Sequence, residues 1–272
     1  SGRRRRKRAS KAALTNTERG IMAENWKSAA LGGLGGAAIA VAIVLILAVT
    51  GALPVSRTAS DARIHDYLLR NPSVLVDMSN RLQADQAAQE DAERQKAVDK
   101  IGMKAFFDPK LAFVTGPTDA KTTLVEFFDY NCPYCRASLP AVKKFYAAHK
   151  KDTRFSFIEF PIKGPNSTVA ARIAIAARKQ PDKYLAFYFA LMDEQDLATP
   201  DLAFSVARKA GLDVEKLKQD MMDKSVDASI KAAHDLAMAA KIDGTPAFII
   251  NGRMREGAIN DTILSKLAEQ HS

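Results

Sequence analysis

The chain has two cysteines, Cys132 and Cys135, and their spacing defines the chemistry open to it. Three residues apart in a helix's opening turn, they share one face, near enough to close a small disulfide ring. A helix N-terminus offers free N–H groups and a positive dipole end, which favour a thiolate at Cys132. The pair then works as a dithiol switch, a low-pKa nucleophile beside a resolving thiol. Zinc sites and structural disulfides share the Cys-x-x-Cys pattern. Zinc needs two more ligands, yet there is no third cysteine, and His149, 14 residues past Cys135, has no second histidine at finger spacing. A structural disulfide closing so short a loop stabilises little.

The elements that must hold these thiols are legible around them. Val125, Phe127 and Phe128 predict a buried strand, with Glu126 an acid among apolar neighbours. A turn follows, and Leu139, Val142 and Phe145 fall at helical spacing after Cys132. Far downstream, Pro246 leads into an apolar strand. A proline there marks an edge or a special backbone, such as a cis bond.

Glu126-Phe-Phe, the Cys-Pro-Tyr-Cys of residues 132–135, Pro140 eight residues after Cys132, and Gly244-Thr245-Pro246 form an ordered set. Over about residues 105–272 the chain resembles the DsbA-like thioredoxin-fold disulfide proteins of the bacterial periplasm. That resemblance implies an α/β thioredoxin fold with a helical insertion at about 166–241. It implies Cys132 as attacking thiolate, Cys135 as resolving thiol and Glu126 as a buried proton carrier. Pro133, Tyr134, Thr245 and Pro246 would contact substrate, with Thr245–Pro246 the fold's cis-proline bond. It implies no cofactor beyond the redox-active Cys132–Cys135 disulfide, and no metal.

The charge of +9 is uneven. Residues 1–27 carry nine Lys and Arg against Glu18 and Glu24, a net of +7. The basic balance therefore describes an arm, not a nucleic-acid-binding domain. Residues 28–53 hold no charge over 26 positions, more than the roughly 20 that cross a bilayer, and Trp26 sits where an interfacial aromatic belongs. This predicts a single-pass transmembrane anchor with the arm in the cytosol and everything after Pro54 outside, in an oxidising compartment. A signal peptide cleaved near Ala52, releasing a soluble periplasmic protein, is the rival expectation.

Residues 54–104 read as a helical stalk. Ser60 is placed to cap a first helix, and Asn71-Pro72 to open a longer second one. Ile64, Leu68, Asn71, Leu75, Met78 and Leu82 step by 4 and 3, the seam of a coiled coil. Beyond Leu82 the helix is polar, so it is either a solvated spacer or, in its first half, packed on copies of itself. A stalk ahead of such a catalytic domain resembles the suppressor-of-copper-sensitivity C (ScsC) subgroup, some of whose members are trimeric disulfide isomerases. That resemblance implies a homo-oligomer such as a trimer, which the apolar span at 28–53 would hold at the inner membrane. Its partners would be unfolded or misoxidised exported proteins and a membrane redox partner, a DsbD- or ScsB-like reductase for an isomerase or a DsbB-like oxidase for an oxidase.

Within the catalytic domain, strands are expected near 111–115, 122–129 and 154–162. Helices are expected at 170–179, 183–192, 201–210, 214–222 and 226–241. A hairpin across Asn251-Gly252 and a last helix from Asp261 follow. Phe187, Tyr188, Phe189 and Met192 read as core. Two functions of different kinds fit: an enzyme that oxidises, reduces or shuffles disulfides, and a tethered carrier whose two thiolates hold Cu(I). Glu126 and Thr245-Pro246 favour the enzyme, since a carrier needs neither a buried acid nor a peptide-binding edge.

Overall fold

A computed structural model describes residues 41–43, 45–46 and 57–269. The basic arm and most of the expected anchor lie outside the described residues. Residues 41–43 and 45–46 are helical, with Val41, Ile43, Leu45 and Ile46 exposed. Among the described residues, no helix is long and apolar enough to cross a membrane.

The chain divides into two units, Ser1–Ser79 and Asn80–Ser272. The first holds α1 (Arg57–Arg70) and the opening of α2 (Ser73–Ile101). Ser60 lies inside α1 rather than capping it. Asn71 serves both helices: its side-chain amide donates to the Tyr67 carbonyl at 2.8 Å at the end of α1, and its own carbonyl accepts the Val74 N–H at 3.1 Å where α2 begins. Ile64, Leu75, Met78 and Leu82 are all exposed.

The second unit is built on a five-stranded sheet in the order β1 (Phe113–Thr115), β3 (Thr153–Glu159), β2 (Thr122–Phe128), β4 (Ala247–Ile250), β5 (Arg253–Glu256). Only β2 and β3 run parallel; the other pairs are antiparallel. Alternation along β2 splits its side chains between two cores. Leu124 and Phe128 face the larger core, with α3 (Pro133–His149), α4 (Pro165–Ala177), α5 (Pro181–Asp193), α6 (Pro200–Lys209), α7 (Val214–Asp220) and α9 (Asp261–Glu269). Val125 and Phe127 face the smaller core, with Phe106, Phe107, Phe160 and helix α8 (Lys224–Ala239). Proline opens α3, α4, α5 and α6, where its missing N–H costs nothing. Asp213 and Asp223 cap α7 and α8. Asn251 and Gly252 take φ of 51° and 80°, the conformation a two-residue hairpin turn demands.

Two expectations need correcting. The helical run 166–241 is not one insertion, because Ala233 and Ala237 of α8 pack beneath the sheet in the smaller core. The strand after Pro246 lies between β2 and β5, and of the two expected meanings of that proline the special backbone holds, as a cis Thr245–Pro246 bond. The stalk does not end at 104: the last turns of α2 belong to the second unit. Val98 is buried in the smaller core. Gln95 gives its amide hydrogen to the Gly252 carbonyl and takes the Met254 N–H, at 2.8 and 3.1 Å. Arg94 reaches the Lys241 carbonyl and the Glu256 carboxylate.

Candidate active site

The site is assembled where β2 ends. After Phe128 the chain turns through Asp129, Tyr130 and Asn131, and Cys132 becomes the N-cap of α3, with φ −87° and ψ 118°. The turn is held by side-chain oxygens. Asp129 Oδ1 accepts the Asn131 N–H at 2.7 Å, and Oδ2 accepts those of Ile162 and Lys163 at 2.7 and 2.8 Å. Asn131 Oδ1 accepts from Ala198 N at 2.7 Å, and its amide donates to Ser167 Oγ at 3.2 Å. Arg136 donates to the carbonyls of Tyr130, Gln195 and Asp196. Loops from three parts of the chain thereby fix one helix N-terminus.

The two thiols are reduced and buried. Pro133 is the first residue of α3, and Tyr134 is 63 % exposed, the open face beside the buried thiols. Across from them the Thr245–Pro246 bond is cis. Cys132 Sγ donates to the Thr245 carbonyl at 3.0 Å. The Pro246 carbonyl accepts from Gly257 N at 2.9 Å, which fixes this loop against the end of β5.

The environments drive the two thiols apart. As a thiolate, Cys132 accepts from the Cys135 thiol, which is the largest influence; burial opposes it, and the Thr245 side chain and the N–H groups of Cys135 and Tyr134 assist. The Thr245 carbonyl contact favours the neutral thiol, but the donors win and bring Cys132 down to about 5. Thr245 Oγ1 is buried without a hydrogen-bond partner among the described residues, a hydroxyl free to turn toward the thiolate. Cys135 moves the other way: burial pushes it up, and the Cys132 thiolate and the Glu126 charge push further.

Glu126 lies in the centre of β2, paired with Phe157 on one side and Phe248 on the other, only 1 % exposed, and its charge is felt at Cys135. Burial raises its carboxyl to about 7, while a 2.7 Å hydrogen bond from the Tyr188 hydroxyl lowers it. A carboxyl poised there can take a proton from a neighbour at neutral pH and return it.

The structure brings Cys132, Cys135, Pro133, Tyr134, Thr245 and Pro246 together, with Glu126 behind them. Sequence reasoning passed over Asp129, Asn131 and Arg136, which hold the thiol turn, and it read Tyr188 as plain core. One signal could have flagged Tyr188: a buried phenol must find a partner for its hydroxyl.

The DSBA-like thioredoxin domain family matches residues 123–268, more than half of the chain. The chain belongs to the DSBA-like thioredoxin family. Its DSBA-like domain is of the thiol–disulfide oxidoreductase type. Residues 58–89 match a second family, the N-terminal domain of the copper resistance protein ScsC.

Among curated relatives of this DSBA-like chain, disulfide bond formation protein D of Bacillus subtilis is 29% identical over 152 residues, 52% of this chain and 68% of that protein. A Na(+)/H(+) antiporter, NhaA 3 of Salinispora tropica, is 30% identical over 160 residues, and the chain spans only 24% of its length. A thioredoxin-like oxidoreductase from Silicibacter pomeroyi is 37% identical with a TM-score of 0.58, covering 62% of this chain and 96% of that one. A periplasmic thioredoxin-like protein from Salmonella enterica serovar Typhimurium is 32% identical with a TM-score of 0.56, covering 61% and 93%. A linker-deleted ScsC from Proteus mirabilis, 24% identical with a TM-score of 0.59 over 79% of this chain and 94% of its own, shares the fold.

Proposed function

We propose that the protein is a membrane-tethered thiol–disulfide oxidoreductase that acts on exported proteins, working as a disulfide isomerase or reductase. The observation that carries the chemistry is Cys132 Sγ, 3.0 Å from the Thr245 carbonyl beside the cis Pro246. There a lowered thiol faces backbone that can bind an extended peptide by main-chain hydrogen bonds. In isomerisation the Cys132 thiolate attacks a wrong substrate disulfide and is displaced by the substrate's own thiol. In reduction Cys135 attacks Cys132 and releases the substrate thiol, and a membrane reductase of DsbD or ScsB type restores the dithiol.

The isomerase direction is supported by the ScsC-type segment at 58–89 and by its exposed Leu75, Met78 and Leu82. Side chains of this kind are suited to packing on copies of the chain, and several sites on one scaffold hold a misfolded substrate at high effective concentration. The membrane placement rests on the 26 uncharged residues at 28–53 behind a basic arm. One observation favours an oxidase working with a DsbB-like partner. Lowering Cys132 to about 5 stabilises the reduced dithiol and so makes the disulfide a stronger oxidant.

The test is recovery of activity from scrambled ribonuclease by the full chain and by a form lacking residues 57–79. The full chain should unscramble, and the shortened form should do so poorly. Equal activity of the two, or rapid oxidation of reduced ribonuclease without unscrambling, selects the oxidase. Export-dependent reporter fusions placed after Pro54 should be active; inactive fusions would remove the proposed topology.

A further inference from the structure

We propose that Tyr188 is a positioning residue for proton transfer at the dithiol: from helix α5 its hydroxyl holds the Glu126 carboxylate that takes the Cys135 proton. This rests on the reading of Glu126 as the proton carrier. Tyr188 Oη donates to Glu126 Oε2 at 2.7 Å, and both residues are buried. It is the one hydrogen bond to that carboxylate among the described residues. The tyrosine ring is fixed by its neighbours, with Phe128 at 4.8 Å and Phe157 at 5.0 Å between centroids. The hydroxyl therefore cannot swing away without moving packed aromatics.

The other ionisable groups of this core are placed or occupied differently. Cys132 and Cys135 approach from α3. Tyr184, also on α5, donates to Glu159 of β3 at 2.7 Å, and Arg178 after α4 pairs with that same Glu159. Tyr130, in the turn after β2, has a buried hydroxyl with no partner among the described residues. Glu159 thus has a cation and a donor, whereas Glu126 has a single neutral donor. Burial holds Tyr188 well above its ordinary range, so it remains a donor and never competes for the proton.

The Tyr188–Glu126 hydrogen bond favours one protonation state of the acid. It stabilises the charged carboxylate against burial. Without it, Glu126 keeps its proton to higher pH and cannot accept one from Cys135. In the step concerned, the Cys135 proton passes to Glu126 and the Cys135 sulfur attacks Cys132 Sγ in the mixed disulfide. The Cys132–substrate S–S bond breaks, the substrate sulfur leaves as thiolate, and the dithiol is oxidised by two electrons as the substrate disulfide is reduced.

The test uses the full chain, reduced and in mild detergent, mixed with 5,5′-dithiobis(2-nitrobenzoate). Release of the second thionitrobenzoate reports attack by Cys135 and is followed by stopped flow from pH 5 to 9. In the wild type this rate should rise through about pH 7. Tyr188→Phe, which keeps the ring, should move the midpoint up by about one pH unit, with rates roughly tenfold lower at pH 6 and nearly equal at pH 9. Glu126→Gln should remove the midpoint, and adding Tyr188→Phe to it should change nothing further. A Tyr188→Phe profile that overlays the wild type, or that is lower by one factor at every pH, overturns the proposal while a flat Glu126→Gln profile keeps the proton-carrier reading. A Glu126→Gln protein that retains the wild-type midpoint overturns that reading and the proposal with it.

Discussion

Cys132 and Cys135 carry the same side chain, but their surroundings hold it in opposite protonation states. Donors concentrated at the start of α3 pull Cys132 to about 5, and burial pushes Cys135 up. Absorbance at 240 nm should therefore show one thiolate titrating near pH 5 in the reduced protein, and Cys132→Ser should erase it. Cys135→Ser should trap mixed disulfides with substrate, because nothing then displaces the bound chain. Alkylation of Cys135 ahead of Cys132 would reverse the two roles. Glu126 makes a separate prediction through stability. Its folded-state value is raised from 4.5 to about 7, so its charge costs stability above pH 7 and costs nothing below 4.5. Glu126→Gln should stabilise the protein at pH 8 by up to roughly 3 kcal/mol and leave it unchanged at pH 4. Urea unfolding at the two pH values checks this; an equal effect at both would show that Glu126 is not buried as a titrating acid.

The elements around the site differ in how far the sequence revealed them. The cysteine helix, the β2 strand and the Asn251-Gly252 hairpin were legible because apolar period and turn chemistry are local signals. The helices from Pro165 to Ala239 were marked by their proline and Asp openings. Asp129 was not legible, since its partners Ile162 and Lys163 lie more than 30 residues away. Nor was the lodging of α8 under the sheet: an alanine-rich face shows that something covers it, not what. Arg94 and Gln95 looked like a solvated stalk for the same reason, their partners falling at 241–256. Asp129 carries the prediction at this scale. Its carboxylate receives three backbone N–H groups and is 2 % exposed. Asp129→Ala should cost about 2–4 kcal/mol by leaving buried donors unpaired, read from the urea midpoint. A cost below about 0.5 kcal/mol would mean that the turn holds its shape without it.

For the molecule as a whole, the exposed leucines of α2 lead to a prediction about assembly. Leu75 and Leu82 are each 59 % exposed in the single chain and lie one heptad apart, the spacing at which two copies of a helix pack. Light scattering should report an oligomer, and Leu75→Ala with Leu82→Ala should yield a monomer, since each truncated leucine at a packed seam loses about 2–5 kcal/mol. A monomeric wild type would end the argument for several sites on one scaffold.

The grip of α2 on the β4–β5 hairpin also fixes where this protein can be cut and rejoined. Helix α2 ends at Ile101, and a gene fusion made just after it would look clean on any plot of secondary structure. It would nonetheless discard Val98 from the smaller core, withdraw Gln95 from the hairpin turn, and strip Arg94 from the half-buried Glu256. The portable module therefore begins mid-helix, near Asn80. A junction placed ahead of Asn80 leaves Arg94, Gln95 and Val98 in the module that they hold together, whatever is joined to it.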